Sequence, residues 1–134
     1  MGNFATSGGN SKNLVSGFMA NAPETCSVVF GHMAEAKKMG GVAIGKDAVT
    51  EEVNGVAIGK EVESKGVNSI AIGVGSRANH NNTIVVNAGP GLLQSQVIDS
   101  LYVKPIRSRS DGATGVDELC YNPLHPWAFK TPVF

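Results

Sequence analysis

Three near-identical tetrapeptides constrain this chain more than anything else: Val42-Ala43-Ile44-Gly45, Val56-Ala57-Ile58-Gly59 and Ile70-Ala71-Ile72-Gly73 recur at one exact interval, fourteen positions from start to start. A fixed period of this length marks stacked repeats, each of which buries its neighbour. The phase continues in both directions: Ile84-Val85-Val86-Asn87 follows, Val28-Val29-Phe30-Gly31 precedes, and Leu14-Val15-Ser16-Gly17 is a weaker copy one repeat earlier. About six coils over residues 14–97 are expected, with an N-terminal arm at 1–13 and a C-terminal segment at 98–134.

One such interval is too short for a strand, a helix and two turns, since a strand takes about five residues and a useful helix ten or more. Each coil is therefore two short strands, and the chain is all-β. Stacked coils form parallel ladders at about 4.8 Å per step, so six coils make a rod on the order of 30 Å long. Strand alternation puts the first and third residues of each tetrapeptide on one face and the middle alanine on the other. The expectation is that Val and Ile fill the roll. Ala43, Ala57 and Ala71 then leave a low, flat surface where a second copy can approach, and a leucine at position 57 would push the copies apart. Gly31, Gly45, Gly59 and Gly73 are expected as corners with positive φ, and Asn87 shares that freedom in the same phase.

The second half of each coil repeats more quietly. Ala34, Ala48 and Val62 align, as do Ala36, Thr50, Ser64 and Ala78, and Asn54, Asn68 and Asn82 align before the next strand. Lys37, Glu51 and Lys65 share one column, so opposite charges stack, and Asp47 and Glu61 lie beside Lys46 and Lys60. Exposed pairs of this kind contribute only about 0.2–1 kcal/mol each and support register more than stability.

A two-strand coil encloses a thin line of side chains and buries little of its own surface. Oligomerisation is the expected remedy, and three chains around an axis is the simplest closed arrangement for a rod. Eleven basic residues balance eleven acidic ones, with no basic stripe, which argues against a nucleic-acid partner. No apolar run is long enough to cross a bilayer as a helix and no charged-then-apolar leader opens the chain, so neither a membrane span nor a secretory signal is expected. Met1-Gly2-Asn3-Phe4-Ala5-Thr6 fits the loose acylation pattern, but a polar arm from Asn3 to Asn13 is the simpler reading. Cys26 and Cys120 read as two free thiols; a disulfide would need the tail to return to the second coil.

No enzyme is expected. His32, His80 and His125 are scattered without metal-ligand spacing, Ser110-Asp111-Gly112 reads as a loop, and Gly89-Pro90-Gly91 reads as a break. No nucleophile, base and orienting group come together, and no metal or cofactor is implied.

The repeated Val-Ala-Ile-Gly, with Asn54-Gly55 and Asn68-Ser69 before it, resembles the head repeats of trimeric autotransporter adhesins. That resemblance covers residues 28–87 and implies a left-handed parallel β-roll that forms a homotrimer. A second segment, Leu101-Tyr102-Val103-Lys104-Pro105-Ile106-Arg107-Ser108 and then Leu119-Cys120-Tyr121-Asn122-Pro123, is similar to stretches that follow such repeats in fibre-like proteins of large DNA viruses of algae. It implies a virion component, a minor capsid or fibre protein made in the host cytoplasm, with neighbouring capsid proteins as partners. In those chains the segment often leads into a C-terminal chaperone or self-cleaving domain; self-cleavage is not expected here, since the sequence given continues past Pro123 only to Phe134.

Prolines and aromatics crowd the last third, and such a segment is suited to docking. Two roles fit: capping the open end of the roll, or anchoring into a capsid neighbour through Tyr121, Trp127, Phe129 and Phe134. The rival function is a receptor-binding or adhesin head that recognises a host surface.

Overall fold

The computed structural model describes residues 4–8 and 12–105. They form a parallel β-solenoid with no helix among the described residues. The strands are β1 (Thr6–Ser7), β2 (Leu14–Ser16), β3 (Asn21–Ala22), β4 (Val28–Phe30), β5 (Glu35–Ala36), β6 (Val42–Ile44), β7 (Val49–Thr50), β8 (Val56–Ile58), β9 (Glu63–Ser64), β10 (Ile70–Ile72), β11 (Ser76–Ala78), β12 (Ile84–Asn87), β13 (Leu93–Gln94) and β14 (Leu101–Lys104). Even-numbered strands stack into one seven-stranded sheet and odd-numbered strands into another. All-β architecture, parallel stacking and the equal step of the central coils are as the repeat predicts: Val42 pairs with Val56, and Val56 with Ile70.

The solenoid has seven coils where six were expected, and its pairing runs past residue 97. The last step is longer, pairing Ile84 with Leu101 and Ser76 with Leu93. Three extra residues hide that coil from a search at fixed period. Leu101–Lys104, read from sequence as part of the tail, is thus a strand of the roll. Side chains hold its wider turn: Asn87 Nδ2 donates to Val74 O at 3.0 Å and Gly91 O at 2.7 Å, and Lys104 Nζ donates to Pro90 O at 2.8 Å.

The interior is lined almost wholly by small side chains. Val29, Ala43, Ala57, Ala71 and Val85 point inward from the even strands, and Ala22, Ala36, Thr50, Ser64 and Ala78 from the odd ones. Ala20, Ala34, Ala48, Val62 and Ser76 fill one turn, and Ser27, Gly41, Gly55, Ser69 and Thr83 the other. Among the described residues nothing larger than valine is fully buried. Hydrophobic burial scales with apolar area, so such a bore stabilises each coil only modestly, and the backbone ladder carries much of the order.

This interior corrects the inside-out assignment made from sequence. Ala43, Ala57 and Ala71 are each 0% exposed within a single chain, so their side chains cannot form a surface that meets another copy. The Val and Ile at the first and third positions of these tetrapeptides point outward. Two short strands joined by tight turns bring the sheets too close for branched side chains at both inner faces, so the small residues take the inside.

Each coil is also two similar halves. From Met19 to Asn82 every seventh residue has positive φ, in the order Met19, Cys26, Met33, Gly40, Asp47, Asn54, Glu61, Asn68, Gly75 and Asn82, with values between 53° and 74°. Both turns therefore pivot on one left-handed residue, a position that costs non-glycine residues other than Asn and Asp on the order of 1 kcal/mol. From Met33 onward the N–H of each pivot donates to the coil before it: Asp47 N to His32 O at 2.9 Å in one turn, Asn54 N to Met39 O at 3.1 Å in the other. Hydrogen bonding between coils thus continues around the corners.

The glycine column lies two residues ahead of that pivot. Gly31, Gly45, Gly59 and Gly73 have φ of 143°, 133°, 134° and 102°, and a Cβ on Gly45 would run into the carbonyl of Gly59 in the adjacent coil. Close backbone approach between coils demands glycine here as much as the dihedral does. Asn87 departs from the expectation: it lies in β12 and is not among the positive-φ residues, and its buried side chain braces the last turn instead.

Charges follow the stack in part. Lys37 Nζ is 3.7 Å from Glu51 of the next coil, whereas Lys65 pairs with Glu63 at 2.9 Å, and Lys46 and Lys60 meet Asp47 and Glu61 at 3.3 and 3.1 Å.

Candidate functional site

The outward side of the even-stranded sheet is the most conspicuous surface of the roll. Its first column is Leu14, Val28, Val42, Val56, Ile70, Ile84 and Leu101, and its second is Ser16, Phe30, Ile44, Ile58, Ile72, Val86 and Val103. Only Ser16 is polar. Phe30 is 50% exposed and Ile44 37%, and the others remain half-buried or exposed. A half-buried antiparallel sheet with one wet face carries polar residues there, but this parallel sheet carries β-branched aliphatics on a face that its own chain leaves uncovered. A contiguous apolar surface along a whole rod marks a site of association.

The opposite sheet presents Thr6, Asn21, Glu35, Val49, Glu63, Arg77 and Gln94. These side chains bond along the stack: Thr6 Oγ1 donates to Asn21 Oδ1 at 2.9 Å, Asn21 Nδ2 donates to Glu35 Oε1 at 2.9 Å, and Arg77 Nε lies 3.5 Å from Glu63. One face of the rod is dressed for solvent and the other is not. Along one turn the Asn column forms a further ladder, with Asn54 donating to Asn68 at 3.2 Å and Asn82 to Asp99 at 2.8 Å.

A second feature escaped the sequence reading. Phe4 packs edge-on against Phe18 with centroids 6.0 Å apart, and Phe18 stacks on His32 at 5.3 Å and 17°. Phe4 and Phe18, with Thr6, Met19, Asn21, Met33 and Glu35, line a shallow cleft on the first coils. The common spacing of Phe4, Phe18 and His32 was legible, but aromatic identity outside the Val-Ala-Ile-Gly motif gave no reason to align them.

The remaining titratable groups do not gather. His80 Nδ1 is 3.1 Å from Ser95 Oγ, Cys26 is an exposed free thiol, and no group of three metal-ligating side chains occurs among the described residues. Tyr102 Oη accepts N–H bonds from Gln96 at 2.9 Å and Val97 at 3.3 Å. The Gln96 N–H is the chief cause holding the phenol below its ordinary value of 10, with desolvation opposing. It braces the last turn. Tyr121, Trp127, Phe129 and Phe134, expected as anchors, lie outside the described residues, as do Cys120, His125 and Ser110-Asp111-Gly112.

The comparison with known families falls on the same coils. The YadA head domain repeat, described as two copies, matches residues 27–48, 36–61 and 64–86. The middle coils match the YadA head repeat. No curated protein matches the chain. The matched residues take in β4 to β8, β10, β11, half of β9 and most of β12, the part of the solenoid where the outward aliphatic columns are most regular.

Proposed function

We propose that this chain is a fibre-type structural module in which three copies close their aliphatic faces around a common axis, leaving the polar sheets outward. The observation that carries this is the uncovered Val/Ile face running the length of the even-stranded sheet. The match to the YadA head repeat supports it, since heads of that type trimerise as a family. In its finer form the proposal is a virion protein, a minor capsid or fibre component, held to a capsid neighbour by the segment after Pro105. Support for that form is the likeness of Leu101–Ser108 and Leu119–Pro123 to viral fibre-like chains, and part of that likeness falls on β14. The activity is assembly, not catalysis.

Mass measurement in solution tests the core of this reading. The expected particle is three times the 13.9 kDa chain, and a 13.9 kDa monomer at micromolar concentration would overturn it. Truncation after Pro123 tests the finer form: trimers should persist while incorporation into particles is lost.

An adhesin-type head is the second reading, and the Phe4, Phe18, His32 column beside Asn21 and Glu35 favours it. Aromatic faces with polar neighbours suit sugar stacking. Binding to a glycan array that disappears on Phe18→Ala would select this reading over a purely structural one.

A further inference from the structure

The aliphatic face has two long edges, and they differ. The turn that follows each even strand presents His32-Met33, Lys46-Asp47 and Lys60-Glu61; the turn that precedes the next one presents Lys38-Met39, Glu52-Val53 and Gly66-Val67. Apolar character spills from the face onto both edges, at Met33 on one and at Met39, Val53 and Val67 on the other. In the coil of residues 42–55 the edges oppose in sign, Lys46 on the first and Glu52 on the second. Among the described residues the Lys46 ammonium forms an ion pair only with its neighbour Asp47, and neither Glu52 nor Lys38 enters one.

Three-fold closure dictates what these edges meet. A cyclic interface is heterologous, so the first edge of one copy must lie along the second edge of the next, and equivalent coils lie at the same level. We infer, resting on the three-chain reading of the aliphatic face, that Lys46 of each copy pairs with Glu52 of the next, with Met33 set against Met39 one coil away. The same charges act against an antiparallel face-to-face dimer, in which the two-fold axis lies across the rod. A two-fold pairing of like edges would bring Lys46 to Lys46 or Glu52 to Glu52, and opposed like charges are unfavourable. The partner is thus a second copy of this chain, approached in one direction.

Cross-linking tests this in full-length protein carrying Cys26→Ser and Cys120→Ser. Lys46→Cys and Glu52→Cys in one chain, treated with a short bis-maleimide, should give covalent trimers, and either substitution alone should give monomers on a denaturing gel. Covalent dimers from Lys46→Cys alone, or no linkage in a doubly substituted protein that sediments as a trimer, would overturn the edge pairing and leave the trimer standing. A monomer throughout would overturn the three-chain reading itself, and this pairing with it. Charge reversal supplies an independent readout: Lys46→Glu should weaken assembly about tenfold or more, as expected for three exposed pairs lost and reversed. Glu52→Lys in the same chain should restore it, and a double variant weaker than either single one would overturn the pairing.

Discussion

Replacing Ala57 with leucine separates the two possible faces of the repeat. Ala57 is wholly enclosed, and its ladder partners Ala43 and Ala71 occupy the levels on either side of it. Leucine adds three carbon atoms to a bore whose largest fully buried side chain is valine. Overpacking a tight core costs about 1–3 kcal/mol, and with both neighbouring levels filled the upper end applies. For a domain of this size about 3 kcal/mol corresponds to a fall in Tm of roughly 10–20 °C. The assay is a far-UV circular dichroism melt at fixed protein concentration, since assembly links Tm to concentration, with sedimentation run in parallel. Ala57→Leu should melt early, while Ile58→Lys on the outward face should keep its β signal and sediment as smaller species. An Ala57→Leu protein of unchanged Tm that no longer assembles would refute the inward placement and return the alanines to the surface.

Other substitutions probe single contacts. Thr50 Oγ1 is buried without a hydrogen-bond partner; Thr50→Val keeps the shape, removes that orphaned hydroxyl, and should raise stability by about 1 kcal/mol in urea titration. Gly45→Ala should cost at least about 3 kcal/mol, combining a φ of 133° with a Cβ that meets the Gly59 carbonyl, and its coil should lose amide protection first in hydrogen exchange. Tyr102 has a pKa lowered by folding, so its ionisation adds stability only at alkaline pH: the gain is fully present above about pH 10 and is lost as pH falls through the folded value. Wild type should therefore gain on Tyr102→Phe as pH rises toward and past 10, with no such trend near neutrality, as followed by melts across that range.

The stack and its period were legible because a backbone ladder repeats whatever the side chains do. What Val-Ala-Ile-Gly could not tell by alternation alone is which of its two faces is inside. Size suggested Val and Ile, since large apolar residues usually fill cores, and the structure reverses this because so short a coil closes too narrow a loop. The hint was present in the other half of the coil, where Ala36, Thr50, Ser64 and Ala78 show that every inward column is small. The left-handed pivots were missed where Met19, Met33, Asp47 and Glu61 occupy them, since only the Asn column advertises that conformation. Lengthening of the last coil displaced Leu101–Lys104 from the phase, so a strand was read as tail. The stack of Phe4, Phe18 and His32 lay on a column whose chemistry changes along the rod from aromatic to Lys46 and Lys60.

The even spacing of the pivots makes the coil behave like a screw with two interchangeable half-turns. Deleting one whole coil shortens the rod and leaves every column continuous. Deleting half a coil keeps each local turn intact yet carries all later Val and Ile residues to the other side of the rod, giving a chain with half of its adhesive strip facing each way. On the three-chain reading proposed above, such a chain could not close its ring. A rod of this kind therefore keeps one unbroken aliphatic side only if its length changes in whole coils.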